Sequence, residues 1–217
     1  MNDQCTARER SQSHGEEIAN GVSHGIALLA GLVATPFLLS STHGRDGPWN
    51  ILGATIFAGA MILMYLSSTL YHLLPESRAK HVFRVLDHGA IFILIAGTYT
   101  PFTLGVLRGA WGWTLLVLVW GMGILGLALK VTGILRNPRL STGLYLAMGW
   151  LILIAVRPVL SSVPLAGILW LLAGGIAYTA GVAFFAADRI RYGHLVWHLF
   201  VILGTACHFL AVLWYAA

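Results

Sequence analysis

Seven apolar runs, most of them about twenty residues long, make up nearly all of this chain, and they restrict its fold more than any other feature. They cover residues 21–41, 49–73, 88–107, 111–130, 141–157, 164–187 and 194–215. A run of that length carries a helix across the roughly 30 Å hydrocarbon core of a bilayer. In lipid each backbone N–H and C=O needs a partner within the protein, which favours helices. The 217 residues are 58% hydrophobic and only 10% charged, too few charges to solvate a soluble domain of this size. The expected fold is therefore all-α, a polytopic integral membrane protein built as a seven-transmembrane-helix bundle. The fifth run is the shortest.

Turn and charge signals separate the runs: "THGRDGP", "PESRAKHVFR", "RGAWG", "RNPRLS", "RPVLSSVP" and "DRIRYG". Residues 1–20 are polar and mixed in charge, and read as a short solvated tail before a single domain over 21–217. They hold no early apolar segment of the kind a signal peptide carries. Cys5 in that tail and Cys207 in the last run are too far apart to suggest a disulfide framework. Cys207 reads as a small buried apolar residue. In the third run, Gly97 and Pro101 suggest a kink.

Lysine and arginine in short loops favour the cytoplasmic side. With the amino terminus inside, Arg8, Arg10, Arg78, Lys80, Arg84, Lys130, Arg136, Arg139, Arg189 and Arg191 fall inside, and only Arg45, Arg108 and Arg157 fall outside. That ten-to-three bias places the amino terminus in the cytoplasm and the carboxyl terminus outside. Trp49, Trp111, Trp113 and Trp214 then mark outer helix ends, where amphipathic rings settle. The net charge of +5 is spread singly through loops, so the expected partners are membrane lipids and no nucleic acid.

This topology sorts the polar residues by depth. The second run ends at the cytoplasmic face with Ser68 and His72, the third begins there with Asp87 and His88, and the seventh begins there with His194 and His198. His194 and His198 are four apart, so their Cβ atoms share one helix face about 5–6 Å apart. Ser68 and His72 share the same spacing. Three imidazoles, His72, His194 and His198, make a ligand set suited to zinc, with a fourth position left for water. Zinc lowers the pKa of such a water to about 7. Asp87 is the carboxylate placed to orient that water or take its proton, and Ser68 can hydrogen-bond the water or a developing oxyanion.

Plainer roles also fit these residues. The histidines can simply hydrogen-bond across helices. Ser68 can bond back to the carbonyl of Met64, Asp87 can cap the third helix, and His88 can be interfacial. His208 lies about 15 Å along the axis from His198 and reads as a buried, hydrogen-bonded histidine. His24 either lines the entrance to the site or caps and packs. His14, His43 and His81 read as tail or loop residues.

Several of these segments together resemble one family. "SSTLYH" is similar to the S-x-x-x-H motif of the progestin and adipoQ receptor superfamily, "LDHGAIFILIAGTYTP" to its third-helix segment, and "HLVWH" to its seventh-helix H-x-x-x-H. "EEIANGVSHGIALLAG" resembles the opening of the bacterial branch, the hemolysin III proteins. The likeness runs from Glu16 through nearly all of the chain. It implies zinc held by His72, His194 and His198 near the cytoplasmic face, Asp87 near a zinc-bound water, and Ser68 as the motif serine. It also implies a bacterial inner (plasma) membrane location. Through related alkaline ceramidases it suggests lipid amide or ester hydrolysis. The competing expectation is a non-enzymatic membrane protein with structural zinc, either a pore-forming, cytolytic hemolysin or a regulator of membrane homeostasis. In that case Asp87 binds the metal directly. A transporter or proton channel relying on His24, His88 and His208 ranks last, because those residues form no evident file.

Overall fold

The computed structural model describes residues 12–42, 47–187 and 189–216. Cys5, Arg8, Arg10, His43 and Arg45, and with them most of the expected tail, lie outside the described residues. Among the described residues all regular structure is helical, and seven segments are long and apolar enough to cross a membrane. They are α1 (His14–Ser41), α2 (Pro48–Leu73), α3 (Arg78–Leu104), α4 (Ala110–Val131), a composite fifth span, α7 (Leu165–Ala186) and α8 (Gly193–Tyr215). The fifth span, Pro138–Ser162, consists of α5 (Pro138–Gly149), a 3-10 turn (Leu151–Ala155) and α6 (Val156–Ser162).

Two helices begin well before their apolar runs, and local chemistry explains both. Ser13 accepts a hydrogen bond from the N–H of Glu16 while the Glu16 carboxylate accepts from the N–H of Ser13, forming a capping box. This starts α1 at His14, inside the stretch expected to be a solvated tail, and buries Glu16 and Asn20. Likewise Ser77 caps α3 by accepting from the N–H of Lys80. Asp87 therefore lies well inside α3, and the expectation that it caps that helix is corrected. His81 falls in the first turns of α3 rather than in a loop, and His14 opens α1. The fifth span is longer than its run because Asn137 caps α5, with Pro138 in the first turn where a missing N–H is harmless. Pro101 sits in the last turn of α3, which continues to Leu104.

The helices pack mainly in chain order, α1 on α2, α2 on α3 and α3 on α4, with α7 on α8. Contacts between α1 and α8 pack the first helix against the last. α1 has opposite chemistry on its two faces. Glu16, Asn20, His24, Ala27, Gly31 and Leu38 point into the bundle. Ile26, Leu29, Val33 and Phe37 are 64–67% exposed. Such a face suits lipid and would be a liability in water.

Close approach of α2 and α3 sets the relative depth of the residues they carry. A Cβ on Gly97 would lie 2.7 Å from the Cβ of Ala60, and one on Gly53 would lie 2.8 Å from the Cα of Pro101. The second neighbour is backbone and cannot swing aside. Gly53→Ala is expected to destabilise the bundle by about 1–3 kcal/mol, read as a lowered midpoint of thermal unfolding in detergent. Gly59→Ala, where nothing lies within 4 Å, serves as the control and should leave the midpoint in place.

Candidate metal centre

His72 lies in the last turn of α2, and His194 and His198 lie in the first turns of α8. The α2 terminus and the α8 start sit at the same end of the bundle, so the three imidazoles converge. Ring centroids are 5.2 Å apart for His72 and His194, 5.1 Å for His72 and His198, and 4.7 Å for His194 and His198. One ligand nitrogen from each lies within 4.8 Å of the other two, a spacing that can hold a metal ion. The Nε2 atoms of His72 and His194 are buried without a hydrogen-bond partner. Unpartnered buried nitrogens are costly, and a cation accepting their lone pairs removes that cost. The donor set therefore fits a divalent metal of the kind imidazole binds.

The other ring nitrogens are held by α1. His72 Nδ1 lies 3.2 Å from Glu17 Oε2, and a carboxylate accepts, so Nδ1 carries the proton and Nε2 keeps its lone pair. His198 Nδ1 lies 3.2 Å from the carbonyl oxygen of Asn20, which fixes the same tautomer. Ser23 Oγ donates to the same carbonyl at 2.7 Å. Carboxylate–histidine and carbonyl–histidine contacts of this kind orient metal ligands and raise their basicity. The Glu17 carboxylate also meets Lys80 Nζ at 3.2 Å, tying α1 to α3. Glu16 accepts the Tyr192 N–H at 2.8 Å. Tyr192 is the turn residue before α8, with a left-handed φ of 58°. Thus α1 touches both helices that supply imidazoles and the turn from which one of them starts.

The remaining expected residues take distinct positions. Ser68 is fully buried, with Oγ 2.7 Å from His24 Nδ1. The carbonyl of Met64 is taken instead by Ser67 Oγ at 3.0 Å. Asp87 is buried on α3 and does not belong to the convergent ligand group. His88 bonds the carbonyl of Arg84 through Nδ1 at 2.8 Å. His208 donates from Nε2 to the carbonyl of Leu171 at 3.1 Å, in keeping with a hydrogen-bonded packing role away from the triad. Cys207 is buried and free. The sequence places Glu17 and Asn20 a turn or two before His24 and leaves His24 open, without pointing to their contacts with the triad, and it assigns no role to Glu16 or Ser23. The available signal was their spacing: polar residues at 16 or 17, 20, and 23 or 24 recur every three to four positions, immediately after a capping-box sequence.

Most of the described basic residues gather at the same end as the triad, with Arg108 after α3 and Arg157 at the start of α6 toward the other. Arg78 and Lys80 start α3, Lys130 ends α4, Arg139 starts α5, and Arg189 and Arg191 precede α8. Trp49 and Trp113 meet at the opposite end, their rings 6.1 Å apart, and both are largely exposed.

Comparison with known proteins adds an independent finding. Residues 12–209 match the profile of the family described as haemolysin-III related. The chain is 44% identical over 200 residues to the Hemolysin-3 homolog of Bacillus subtilis (strain 168), covering 92% of this chain and 94% of that protein. It is 42% identical over 202 residues to Hemolysin-3 of Bacillus cereus, covering 92% and 91%. A weaker likeness, 26% over 207 residues, links it to the human monocyte to macrophage differentiation factor, covering 91% and 83%. These matches bear out the resemblance to the hemolysin III proteins, and the last supports the wider superfamily. No solved structure matches the chain.

Replacing Glu17 with glutamine removes the carboxylate from His72 but keeps the side chain's size. The variant is expected to bind zinc about ten- to a hundredfold more weakly than the parent, measured by competition with a chromophoric chelator in detergent.

Proposed function

This chain belongs to the haemolysin-III related family, and from that premise we propose that it is a zinc-dependent hydrolase of membrane lipids. It would act on an amide or ester bond at the cytoplasmic face of the bacterial inner membrane, with its amino terminus inside. The observation that carries this reading is the triad: three imidazole nitrogens within 4.8 Å of one another, two of them buried and unpartnered. His72, His194 and His198 would hold the metal. Zinc in such a site supplies Lewis acidity and brings the pKa of a water toward about 7.

The rest of the chemistry belongs to the chain's own side chains. Glu17 and the Asn20 carbonyl hold His72 and His198 as Nε2 ligands. Asp87 is the buried carboxylate that accepts a proton from the attacking water and returns it to the leaving nitrogen or oxygen. Ser68 acts on the site through His24, the partner its hydroxyl meets. A cavity of about 230 Å³ beside α3 gives room for the apolar part of a substrate. It is lined by Ile91, Leu94, Leu107, Trp197 and Val201 among others. Along α3 its lining runs from Ile91 to Thr103, about 18 Å of helix axis, comparable to an acyl chain. Trp197, the residue before His198 on α8, lines this cavity, while the triad itself does not.

The convergent group of three favours chemistry over a purely structural ion. A closed structural site takes four protein ligands, and Asp87 does not join the three. The names of the Bacillus relatives favour a second reading, a cytolytic or membrane-regulating protein with a structural ion.

Elemental analysis of detergent-purified protein is expected to give about one zinc per chain, and His198→Ala is expected to lose both the metal and lipid hydrolysis. A native preparation free of transition metal defeats the proposal. So does a zinc-loaded protein that cleaves no amide or ester lipid in a broad screen. Metal-independent leakage from liposomes would support the cytolytic reading instead. For orientation, reporter fusions are expected to place the amino terminus in the cytoplasm and the carboxyl terminus outside.

A further inference from the structure

His24 is an imidazole packed directly on the triad whose own role the proposed chemistry leaves open. It is 2% exposed, its Nδ1 lies 2.7 Å from Ser68 Oγ, and its Nε2 is buried without a partner. Its ring stacks face to face on His198, with centroids 3.7 Å apart and planes 3° from parallel. It does not join the convergent ligand group.

The Ser68 contact fixes its tautomer. Ser68 is fully buried, so its hydroxyl hydrogen needs an acceptor inside the protein. The Met64 carbonyl, a common acceptor for a helical serine, is used by Ser67. If Ser68 donates to Nδ1, the hydroxyl is satisfied and only one group, the Nε2–H, is left over. If Nδ1 instead donates to Ser68, both the hydroxyl hydrogen and the bare Nε2 are left over. The first arrangement costs less. Among the described residues His24 therefore presents a fixed N–H donor with no well-formed protein acceptor, the backbone of His198 being a weak one, against the face of a ligand imidazole. A ring stacked on His198 offers that N–H in a parallel plane, beside the ligand nitrogens rather than among them.

We infer that His24, set in its tautomer by Ser68, is the hydrogen-bond donor for an acceptor oxygen, carbonyl or carboxylate, of the lipid held at the triad. This rests on the hydrolase reading for its ligand, but it assigns the donor role to His24 rather than to the Ser68 hydroxyl. It also answers a local need, because a buried N–H without an acceptor is destabilising until a ligand oxygen arrives. Tyr65 lies 5.2 Å away with its ring at 61° and offers the N–H only a weak aromatic acceptor.

The test uses full-length protein in detergent, loaded with cobalt, and titrates acetohydroxamate by absorption. The parent should bind the probe about tenfold or more tightly than His24→Phe, which keeps a stacked ring but has no donor. His24→Gln, whose amide nitrogen replaces Nε2, should recover most of that affinity. Ser68→Ala should weaken the probe less than His24→Phe does. Nitrogen-15 spectra of histidine-labelled protein should show His24 as the Nε2–H tautomer, and this measurement needs neither turnover nor metal. Equal probe affinity in the parent and His24→Phe at full cobalt loading overturns the inference, as does an Nδ1–H signal for His24. Failure to load cobalt overturns the metal reading itself, whereas a tight, His24-dependent probe site in a protein without hydrolase activity overturns only the proposed reaction.

Discussion

The contact between Glu17 of α1 and His72 of α2 is the joint on which the rest of the site depends. Near the hydrocarbon an imidazole is tolerated only where its nitrogens are used. Glu17 takes the proton side of His72 and so turns the other nitrogen toward His194 and His198. Asn20, one turn further along α1, does the same for His198 through its carbonyl oxygen. Glu16 secures the turn before α8. The first helix is thus both a membrane span and the part that orients ligands on two others. That dual task explains its divided surface, with carboxylate, amide and imidazole on the inner face at one end and isoleucine, leucine and phenylalanine toward lipid elsewhere.

The membrane fold was legible because hydropathy over twenty residues is a strong signal. Lipid offers the backbone no alternative partners, so long apolar runs leave little choice of structure. The convergence of His72 with His194 and His198 was also legible, although more than 100 residues separate them. Helix spacing placed each pair on one face, and the direction of each span placed them at one depth. Helix starts were less visible. A hydropathy average sees the polar residues 14–20 and 78–87 as loop, whereas Ser13 and Ser77 begin helices there by capping them.

The ring of residues around the triad was hidden for a related reason. Glu16, Glu17 and Asn20 read as a solvated tail because polar residues ordinarily face water, and here Glu17 and Asn20 meet buried imidazoles while Glu16 holds the Tyr192 N–H. Asp87 read equally well as a cap or as a site carboxylate until α3 was seen to begin at Arg78. Ser68 and Ser67 are adjacent and chemically identical, and only the packing of α1 decides which one meets His24 and which one bonds back to its own helix. Seen together with the Bacillus relatives, the arrangement describes a membrane protein whose polar chemistry is concentrated at the end of the bundle where most of its described basic residues gather.

The contact between Asn20 and His198 joins residues 178 positions apart, nearly the full length of the chain. During synthesis the helix bearing Glu17 and Asn20 emerges first and the helix bearing His194 and His198 last. Until that final helix is inserted, Glu17 can pair with His72 and Lys80 and His24 with Ser68, but the Asn20 carbonyl lacks His198, and His72 alone cannot retain an ion. The cluster is therefore a late event in biogenesis. Chains that end before α8 leave the polar side of α1 without the contacts that the last helix supplies.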